Sequence, residues 1–216
     1  MRVFRTSFSQ NPNIGLYVYC NNTYCLAGRI VPENQLKQIE EVLNVPVIRM
    51  SAAGTSLLGV FFAGNDSCLL VPELVFEDEL KVLEKNSIKY QVVRTKLTAL
   101  GNNIACNNNG AIINDEFEDV AQIKALKVPV QKSVIAGLNI PGALCAANDS
   151  AAICHKGITK NETEKAESLL KARVLAATIN NSPFIKSGLV MNNHGYLISD
   201  NAKMLEISLI DQILNE

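Results

Sequence analysis

The chain has 216 residues, of which 48% are hydrophobic and 19% are charged, and its formal net charge at pH 7 is -1. This composition supports a sizeable core and excludes a disordered or low-complexity protein. The near-zero net charge excludes strong attraction to bulk nucleic acid, and the longest apolar run, 57–64, is too short to cross a bilayer. Because the N-terminus lacks an apolar signal core, we expect a soluble, cytoplasmic monomer that binds neither DNA nor membranes.

An internal repeat organises the chain from end to end. Each unit begins with a glycine and a short apolar strand, passes through an asparagine-rich turn into a second apolar strand, and ends in an acidic amphipathic stretch and an apolar segment. The period is roughly 41 to 44 residues. The turn asparagines that mark it are Asn22, Asn65, Asn107, Asn148 and Asn192. A period without a linker predicts a single domain of five repeats, 1–216.

The second unit shows how each repeat is built. Residues 57–63 form an apolar run that is too short for a typical helix and rich in strand formers, which predicts a buried strand. Residues 64–67 favour a hairpin turn, and 68–71 return as the second strand. The acidic residues 77–79 predict a helix start, and 90–93 predict a third strand. The predicted unit is therefore strand, strand, helix, strand.

Apolar residues spaced three and four apart predict amphipathic outer helices in the first and last units. The side chains expected to point inward are Leu36, Ile39, Leu43, Leu205, Leu209, Ile213 and Leu214. One unit cannot cover both faces of its small sheet, so neighbouring units must pack side by side. This predicts an α/β ring of five units with helices outside, first strands around a central channel, and function at the two ends.

The six cysteines and two histidines are candidates for a catalytic thiol or a metal site. The cysteines lie in or beside apolar strands, no CxxC pair occurs, and Cys154 beside His155 lacks the second ligand pair of a zinc site. His194 lies in a turn beside Gly195. Walker, HExxH and GxSxG motifs are absent from the sequence. We predict buried reduced thiols, no metal and no cofactor.

Asparagine is the remaining candidate for a recognition surface. Turn conformation already explains most of the turn asparagines, although an amide can also donate and accept across an interface. Asn102 and Asn103 are different, because they follow Gly101 inside a predicted apolar strand. A polar amide is disfavoured there unless it is paired. These two residues are the best functional candidates from chemistry alone.

Three segments of the chain resemble the translation initiation factor 6 family. They are NIGLYVYCNNTYCL at 13–26, LLGVFFAGNDSCLLVP at 57–72 and LTALGNNIACNNNGAII at 97–113. The resemblance covers the whole chain, and it implies the pentein fold, a five-fold pseudosymmetric α/β propeller that agrees with the ring inferred from the repeat. The last units depart from the family pattern, with Ala151 at a turn glycine and no glycine and threonine run over 199–205. The chain end without a polar tail favours an archaeal-type member.

The resemblance implies a translation factor and not an enzyme. Family members bind the large ribosomal subunit on its intersubunit face, contact ribosomal proteins and adjacent rRNA, and prevent association with the small subunit. A part in large-subunit maturation is also implied. The residues that carry over by motif as ribosome-binding are Gly15, Asn22, Tyr24, Asn65, Gly101, Asn102 and Asn108. The glycines would shape loops, Asn102 would bond across the interface or hold a loop, and Tyr24 would be an aromatic anchor.

Two alternatives compete with this interpretation. The same five-unit ring carries guanidine-modifying enzymes of the deiminase and amidinotransferase kind, which gather a cysteine nucleophile, a histidine and acidic residues in the central channel. A ribosome-independent scaffold would keep the asparagine face and bind another partner.

Overall fold

In a computed structural model, which describes residues 1–215, the chain forms a closed ring of five similar units. Glu216, the last residue of the sequence, lies outside the described residues. Each unit contains a three-stranded sheet. The first strand pairs antiparallel with the second, and the second pairs parallel with the third. The predicted five-repeat α/β architecture is confirmed.

The strands occupy equivalent positions in the five units. The first strands, around the axis, are Val18–Cys20, Ala63–Gly64, Ile104–Cys106, Cys145–Ala147 and Leu189–Met191. The second strands are Cys25–Gly28, Leu69–Pro72, Ala111–Ile113, Ala151–His155 and Gly195–Ser199. The third strands are Val47–Met50, Tyr90–Val93, Val130–Lys132, Arg173–Ala177 and Arg2–Thr6.

The fifth unit takes its third strand from the N-terminus of the chain. Arg2–Thr6 pairs parallel with Gly195–Ser199, in a register that sets Arg2 opposite Gly195 and Thr6 opposite Ser199. The repeat pattern alone does not reveal this exchange, because the N-terminal strand precedes the first repeat. The first and last segments of the chain therefore lie in one sheet, and backbone hydrogen bonds join the two ends of the array.

Each unit begins with a short helical turn that the sequence analysis assigned to the first strand. We call these segments the axial turns: Ile14–Leu16, Leu58–Phe61, Leu100–Asn103, Pro141–Leu144 and Ile185–Gly188. In the predicted strand 57–63 only Ala63 is in a strand, and the amide of Phe62 donates to the carbonyl of Leu58 at 2.8 Å. The prediction was wrong because a short buried apolar run has the same composition in a helical turn and in a strand.

The outer helices follow the second strands, and in the first four units they lead into the third strand, whereas the third strand of the fifth unit comes from the N-terminus. They are Glu33–Leu43, Glu77–Lys85, the 3-10 helix Val120–Leu126, Lys160–Leu170 and Met204–Asn215. Ile39 and Leu43 are fully buried, as predicted, and Leu36 packs partly buried against the same core. None of the helices within residues 1–215 is long and apolar enough to span a bilayer.

The last helix differs in phase from the prediction. Leu205 and Leu209, expected to point inward, are 71% and 39% exposed. The buried face consists instead of Ile207, Ile210 and Leu214. Apolar residues occur around most of this helix, so spacing alone could not select the buried stripe. Of the predicted set, Leu214 is buried and Ile213 is partly buried.

The core is divided into five clusters, and each combines side chains from two neighbouring units. One second-strand residue of each unit packs into the cluster of the next unit around the ring: Leu26, Leu70, Ile112, Ile153 and Leu197. These side chains are between 0% and 3% exposed. Each unit therefore completes the burial of its neighbour, which explains why the array must close.

Candidate functional site

One end of the ring, here called the asparagine end, is built from the five turns between first and second strands. Its inner layer is the asparagine ring, five buried side chains: Asn21, Asn65, Asn107, Asn148 and Asn192. Each side-chain amide donates to the backbone carbonyl of the next member over 2.8–3.3 Å. Asn192 donates to the carbonyl of Asn21 at 3.0 Å and closes the circle.

Asparagine suits this position because its side chain accepts and donates at the same time. The Oδ1 of Asn107 accepts from the amides of Asn109 and Gly110, which fixes its own turn. Its Nδ2 donates at 2.8 Å to the carbonyls of Asn148 and Leu170, which belong to the turn and the outer helix of the next unit. Aspartate lacks the donor, so the geometry sets the residue type.

The asparagine ring corrects two sequence predictions. Asn21, and not Asn22, is equivalent to Asn65, because its Oδ1 accepts from the amides of Thr23 and Tyr24 and its Nδ2 donates to the Asn65 carbonyl at 3.1 Å. Because Asn21 and Asn22 are adjacent, either residue fits the spacing of the repeats. Asn65, predicted as a surface residue, is 3% exposed. Its side chain holds the ring and is not available to a partner.

A second circle of polar side chains, the rim ring, lies beside the first and is more exposed. Its members are Asn22, Asp66, Asn108, Asp149 and Asn193. At each step the backbone amide of one member donates to the side-chain Oδ1 of the next over 2.8–3.0 Å. The Nδ2 of Asn108 lies 2.7 Å from Asp66 Oδ2 and 2.9 Å from Asp149 Oδ2. The predicted surface residues Asn22 and Asn108 are thus half-buried and oriented by two carboxylates.

Tyr24 lies at the edge of the asparagine end, against the ring of Tyr19 with centroids 6.2 Å apart. It lines a groove of about 520 Å³ together with Ile48, Lys89 and Lys127. Burial, followed by the nearby Cys68 thiol, raises the pKa of Tyr24 well above its usual value. The side chain is half-buried, so only part of the ring is open to a partner.

The opposite end, here called the glycine end, is formed by the axial turns. Four of them carry a glycine at the second position: Gly15, Gly59, Gly101 and Gly142. A Cβ on Gly59 would lie 1.9 Å from the carbonyl oxygen of Gly15, and one on Gly101 would lie 2.0 Å from that of Gly59. No side chain fits between these turns. The predicted site residues Gly15 and Gly101 are therefore buried spacers that let the backbones approach.

The fifth axial turn carries Lys186 where the other four carry glycine. Its Nζ donates to the carbonyl of Gly101, a turn that is not its neighbour in the ring, at 2.9 Å. Burial lowers the pKa of Lys186 to about 8, although the thiols of Cys106, Cys20 and Cys145 act in the opposite direction. No carboxylate among residues 1–215 forms an ion pair with this ammonium group.

Among residues 1–215, those that line the central channel behind Lys186 include thiols but no imidazole. Its cavity of about 70 Å³ is lined by the first strands, with Cys20 and Cys106 on the wall. Burial raises the pKa of Cys20 to about 12 and that of Cys106 to about 11, so both thiols are protonated at neutral pH. His155 accepts from the amide of Gly157 at 2.8 Å, away from the channel, and His194 lies exposed in a turn.

The sequence analysis placed Asn102 and Asn103 in a strand, but in the structure they lie in an axial turn. Asn103 is buried, its Nδ2 donates to the Ala99 carbonyl at 2.8 Å, and its Oδ1 accepts from Asn114 at 2.7 Å. Asn102 is half-buried and lines a cavity at the mouth of the glycine end. Asn103 is structural, and only Asn102 remains available to a ligand or partner.

The departures in the last two units leave the asparagine end intact. The amide of Ala151 donates to Asn148 Oδ1 at 2.8 Å, as Gly110 does to Asn107. Sequence reasoning did not select Asp66, Asp149 or Lys186 as site residues. Aligning the five repeats on the asparagine ring would have placed the two aspartates in one column and Lys186 in the glycine column.

Comparison with known proteins agrees with the sequence resemblance. A family model described as the eIF-6 family matches residues 3–213. The chain belongs to the eIF-6 family. Among curated members, translation initiation factor 6 of Staphylothermus marinus is 36% identical over 208 residues, covering 93% of this chain and 92% of that protein. The protein of the same name from Saccharolobus islandicus strain L.S.2.15 is 31% identical, with both chains covered completely.

The similarity extends to eukaryotes and to a solved structure. Eukaryotic translation initiation factor 6 of Saccharomyces cerevisiae is 30% identical over 97% of this chain and 89% of its own. A DDAH from Pseudomonas aeruginosa, solved as a mutant complexed with citrulline, superimposes with a TM-score of 0.51 at 17% identity, over 81% of this chain and 71% of the other. The pentein fold predicted for this eIF-6 member is confirmed, and at this identity the likeness concerns the fold alone.

Proposed function

We propose that this eIF-6 family member binds the large ribosomal subunit on the face that meets the small subunit and blocks association by occupying that space. The observation that carries the proposal is the family match over residues 3–213, together with relatives named as translation initiation factors. The proposal includes a part in large-subunit maturation and a cytoplasmic monomer, one domain of five repeats. The partners are ribosomal proteins and adjacent rRNA, and no cofactor takes part.

Steric exclusion needs no catalytic group. The channel thiols Cys20 and Cys106 have raised pKa values, and neither histidine lines the channel, which supports a binding protein over a guanidine-modifying enzyme. An interface of about 800 Å² on each partner is enough for stable binding. Occupancy of that area would by itself keep the small subunit away.

The two ends of the ring offer two separate contact surfaces. Asn22, Tyr24 and Asn108 lie at the asparagine end, whereas Asn102 lies at the glycine end. A rigid partner surface reaches one end at a time, so we assign the contact role to one of these groups and not to both. Buried residues such as Asn65 would influence binding only through the shape of the ring.

Shape and polar complementarity, and not bulk charge, would carry the affinity. The net charge is -1. The Nε of exposed Arg94 lies 4.0 Å from Glu73 Oε2, and the Nζ of exposed Lys96 lies 3.6 Å from Glu118 Oε1. A protein that neutralises few phosphates releases few counterions, so its affinity depends weakly on salt. A steep fall in binding with salt would count against this description of the interface.

Co-sedimentation with separated large and small archaeal ribosomal subunits tests the proposal. We expect the protein to sediment with the large subunit only, and increasing protein to reduce subunit joining in a joining assay. Binding to both subunits, or large-subunit binding that leaves joining unchanged, would rule out steric anti-association. A folded protein that binds neither subunit across a range of salt would reject the proposed function altogether.

Two variants identify the end that makes the contact. Asn102→Asp adds a charge at the glycine end, and His194→Glu adds one to an exposed turn at the asparagine end. We expect one of them to weaken large-subunit binding by about tenfold or more, as burial of an unpaired charge does, while the other binds normally. Unfolding curves of both variants that match the unmodified protein exclude a folding defect. Normal binding by both would remove the two ends from the interface.

A further inference from the structure

Lys186 breaks the symmetry of the glycine end in a way that the fold does not require. Four units close this end with glycine, and a fifth glycine would repeat their packing. The chain instead buries the ammonium group of Lys186 near the thiols of Cys20, Cys106 and Cys145, where it donates a single described hydrogen bond to the carbonyl of Gly101. An ammonium group carries three donors, so two remain for other acceptors. Burial of this charge without a paired anion lowers the stability of the fold. A ligand that carries a negative charge would offset that cost.

Lys186 also lines a cavity of about 400 Å³ at the mouth of the glycine end. Its wall is largely apolar, with Leu16, Ile140 and Phe184. Phe184 is 45% exposed. Asn13 and Asn102 supply side-chain amides at the same mouth. Apolar walls with a few converging polar groups, in this range of volume, are typical of small-ligand sites.

We propose that the mouth of the glycine end binds a carboxylate carried on a short apolar chain. The carboxylate accepts hydrogen bonds from the Nζ of Lys186 and from the side-chain amide of Asn102. The apolar chain lies on Leu16, Ile140 and Phe184. One ammonium group facing a carboxylate gives a charge-assisted hydrogen bond, about twice as strong as a neutral one.

The charge of the pocket favours a carboxylate over a phosphate group. Lys186 is the single cationic side chain among the described residues that line the cavity. One positive charge balances a carboxylate, whereas a phosphate carries about two negative charges at neutral pH. Phosphate sites usually add arginine or a row of backbone amides at a helix N-terminus. The axial turns are only three or four residues long and do not provide such a row.

Titration of the isolated protein, followed by amide NMR shifts, tests this site without ribosomes. Hexanoate is the first probe, and its uncharged analogue hexanamide is the control ligand. We expect saturable shifts at residues around the mouth with hexanoate, and weaker binding of hexanamide by about tenfold or more. A peptide ending in a free leucine carboxylate, compared with its C-terminal amide, distinguishes a protein terminus from a small molecule as the natural source.

Variants then assign the effect to Lys186. Lys186→Met keeps the length of the side chain without the charge, and Lys186→Gly restores the residue that the other four units carry. We expect both to lose hexanoate binding by about tenfold or more, while the exposed control Lys132→Met binds normally. The proposal is overturned if neither carboxylate produces saturable shifts at the mouth. It is also overturned if hexanamide binds unmodified protein as well as hexanoate, a comparison that needs no variant to fold.

Discussion

The two ends of the ring are closed by different means. At the asparagine end, five residues of one type repeat one set of hydrogen bonds, and the amides and carbonyls involved satisfy one another around the circle. At the glycine end, four close backbone approaches are followed by a lysine that reaches across the axis. The symmetrical end uses its buried polar groups on itself. The asymmetrical end retains donors that no described residue takes up.

This contrast distinguishes polar residues that are needed for the fold from polar residues that indicate a binding site. The asparagines recur in every unit because a turn and an interface between units both need them, so their repetition indicates structure. Lys186 stands alone in its column, and burial lowers its pKa, so its charged form is disfavoured where it lies. This is why we propose a ligand at this end. In a protein made of repeats, the departure from the repeat is the better sign of a binding site.

The largest expected effect comes from filling the space between axial turns. Gly59→Ala would place a Cβ 1.9 Å from the carbonyl oxygen of Gly15, so the ring must open locally. We expect a loss of about 4 kcal/mol or more in the free energy of unfolding, measured in urea. Gly137→Ala is the matched control, since nothing lies within 4 Å and only its positive φ of 71° opposes alanine. Its cost should be about 1 kcal/mol. Equal losses would mean that close packing does not close the glycine end.

Loss of a single ring donor should have the next largest effect. Asn107→Asp replaces Nδ2 by an oxygen that faces the carbonyls of Asn148 and Leu170, each 2.8 Å away. We expect about 3 kcal/mol of destabilisation at neutral pH, because a buried carboxylate meets two acceptors. The loss should shrink in acid, where a protonated carboxyl can donate again. Asn201→Asp, on an exposed side chain, should change stability little. If Asn107→Asp changed the free energy of unfolding only slightly, the asparagine ring would not be what holds the units together.

The charge of Lys186 should destabilise the protein below its folded pKa. The folded pKa is lowered from 10.5 to about 8, so between these values the unfolded chain binds more protons and stability rises with pH. Below pH 8 both states are protonated and the penalty is constant. The thiols of Cys20, Cys106 and Cys145 act on the ammonium group from the first strands of three other units. The pKa values of Cys20 and Cys106, about 12 and about 11, keep these two thiols protonated through most of this window.

Comparison with Lys186→Met isolates this contribution. At pH 7 the free energy of unfolding of the variant should exceed that of the unmodified protein by about 2 kcal/mol, a value reduced to allow for partial exposure of the side chain. This difference should decline from pH 8 toward pH 10. Urea unfolding at each pH gives the difference, and the exposed Lys132→Met should show no such trend. A difference that does not change with pH would mean that Lys186 is not desolvated.

The repeat made much of the fold predictable, because a period fixes the number of units and a unit must bury both faces of its sheet. Ile39 and Leu43 could be assigned to the core from spacing. The axial turn 58–61 could not be told from a strand, since its residues are apolar and buried in either conformation. The strand Arg2–Thr6 completes the fifth sheet through a contact across nearly the whole chain, which no local pattern reports.

The candidate site was less predictable than the fold. Asn102 could be selected because an amide beside apolar residues stands out, and it does line the mouth of the glycine end. Asn65 looked like a surface residue, yet its two donated bonds are to the neighbouring unit and are visible only in three dimensions. Lys186 carried no motif. Its meaning depends on its equivalence to four glycines, which the alignment of axial turns establishes.

The smallest expected effect concerns the rim of the glycine end, where Glu206 fixes a tight turn of the fifth unit. Its carboxylate accepts from Thr178 Oγ1 at 2.6 Å and from the amides of Asn180 and Asn181 at 2.9 Å and 3.0 Å. Burial raises the pKa of Glu206, but these bonds and that from the Lys203 amide outweigh it and lower the pKa below 4.5.

The lowered pKa means that Glu206 stabilises the fold above its unfolded pKa, and that this contribution is lost as pH falls through the folded value. Glu206→Gln should therefore cost about 1 kcal/mol at pH 7, since one acceptor becomes a donor facing backbone amides. The unmodified protein and the variant should converge in acid, where the protonated carboxyl resembles the amide. Glu116→Gln, on an exposed side chain outside the helices, provides the control, with no change expected at either pH. A constant gap down to low pH would show that packing, and not the charge-assisted hydrogen bonds, makes Glu206 important.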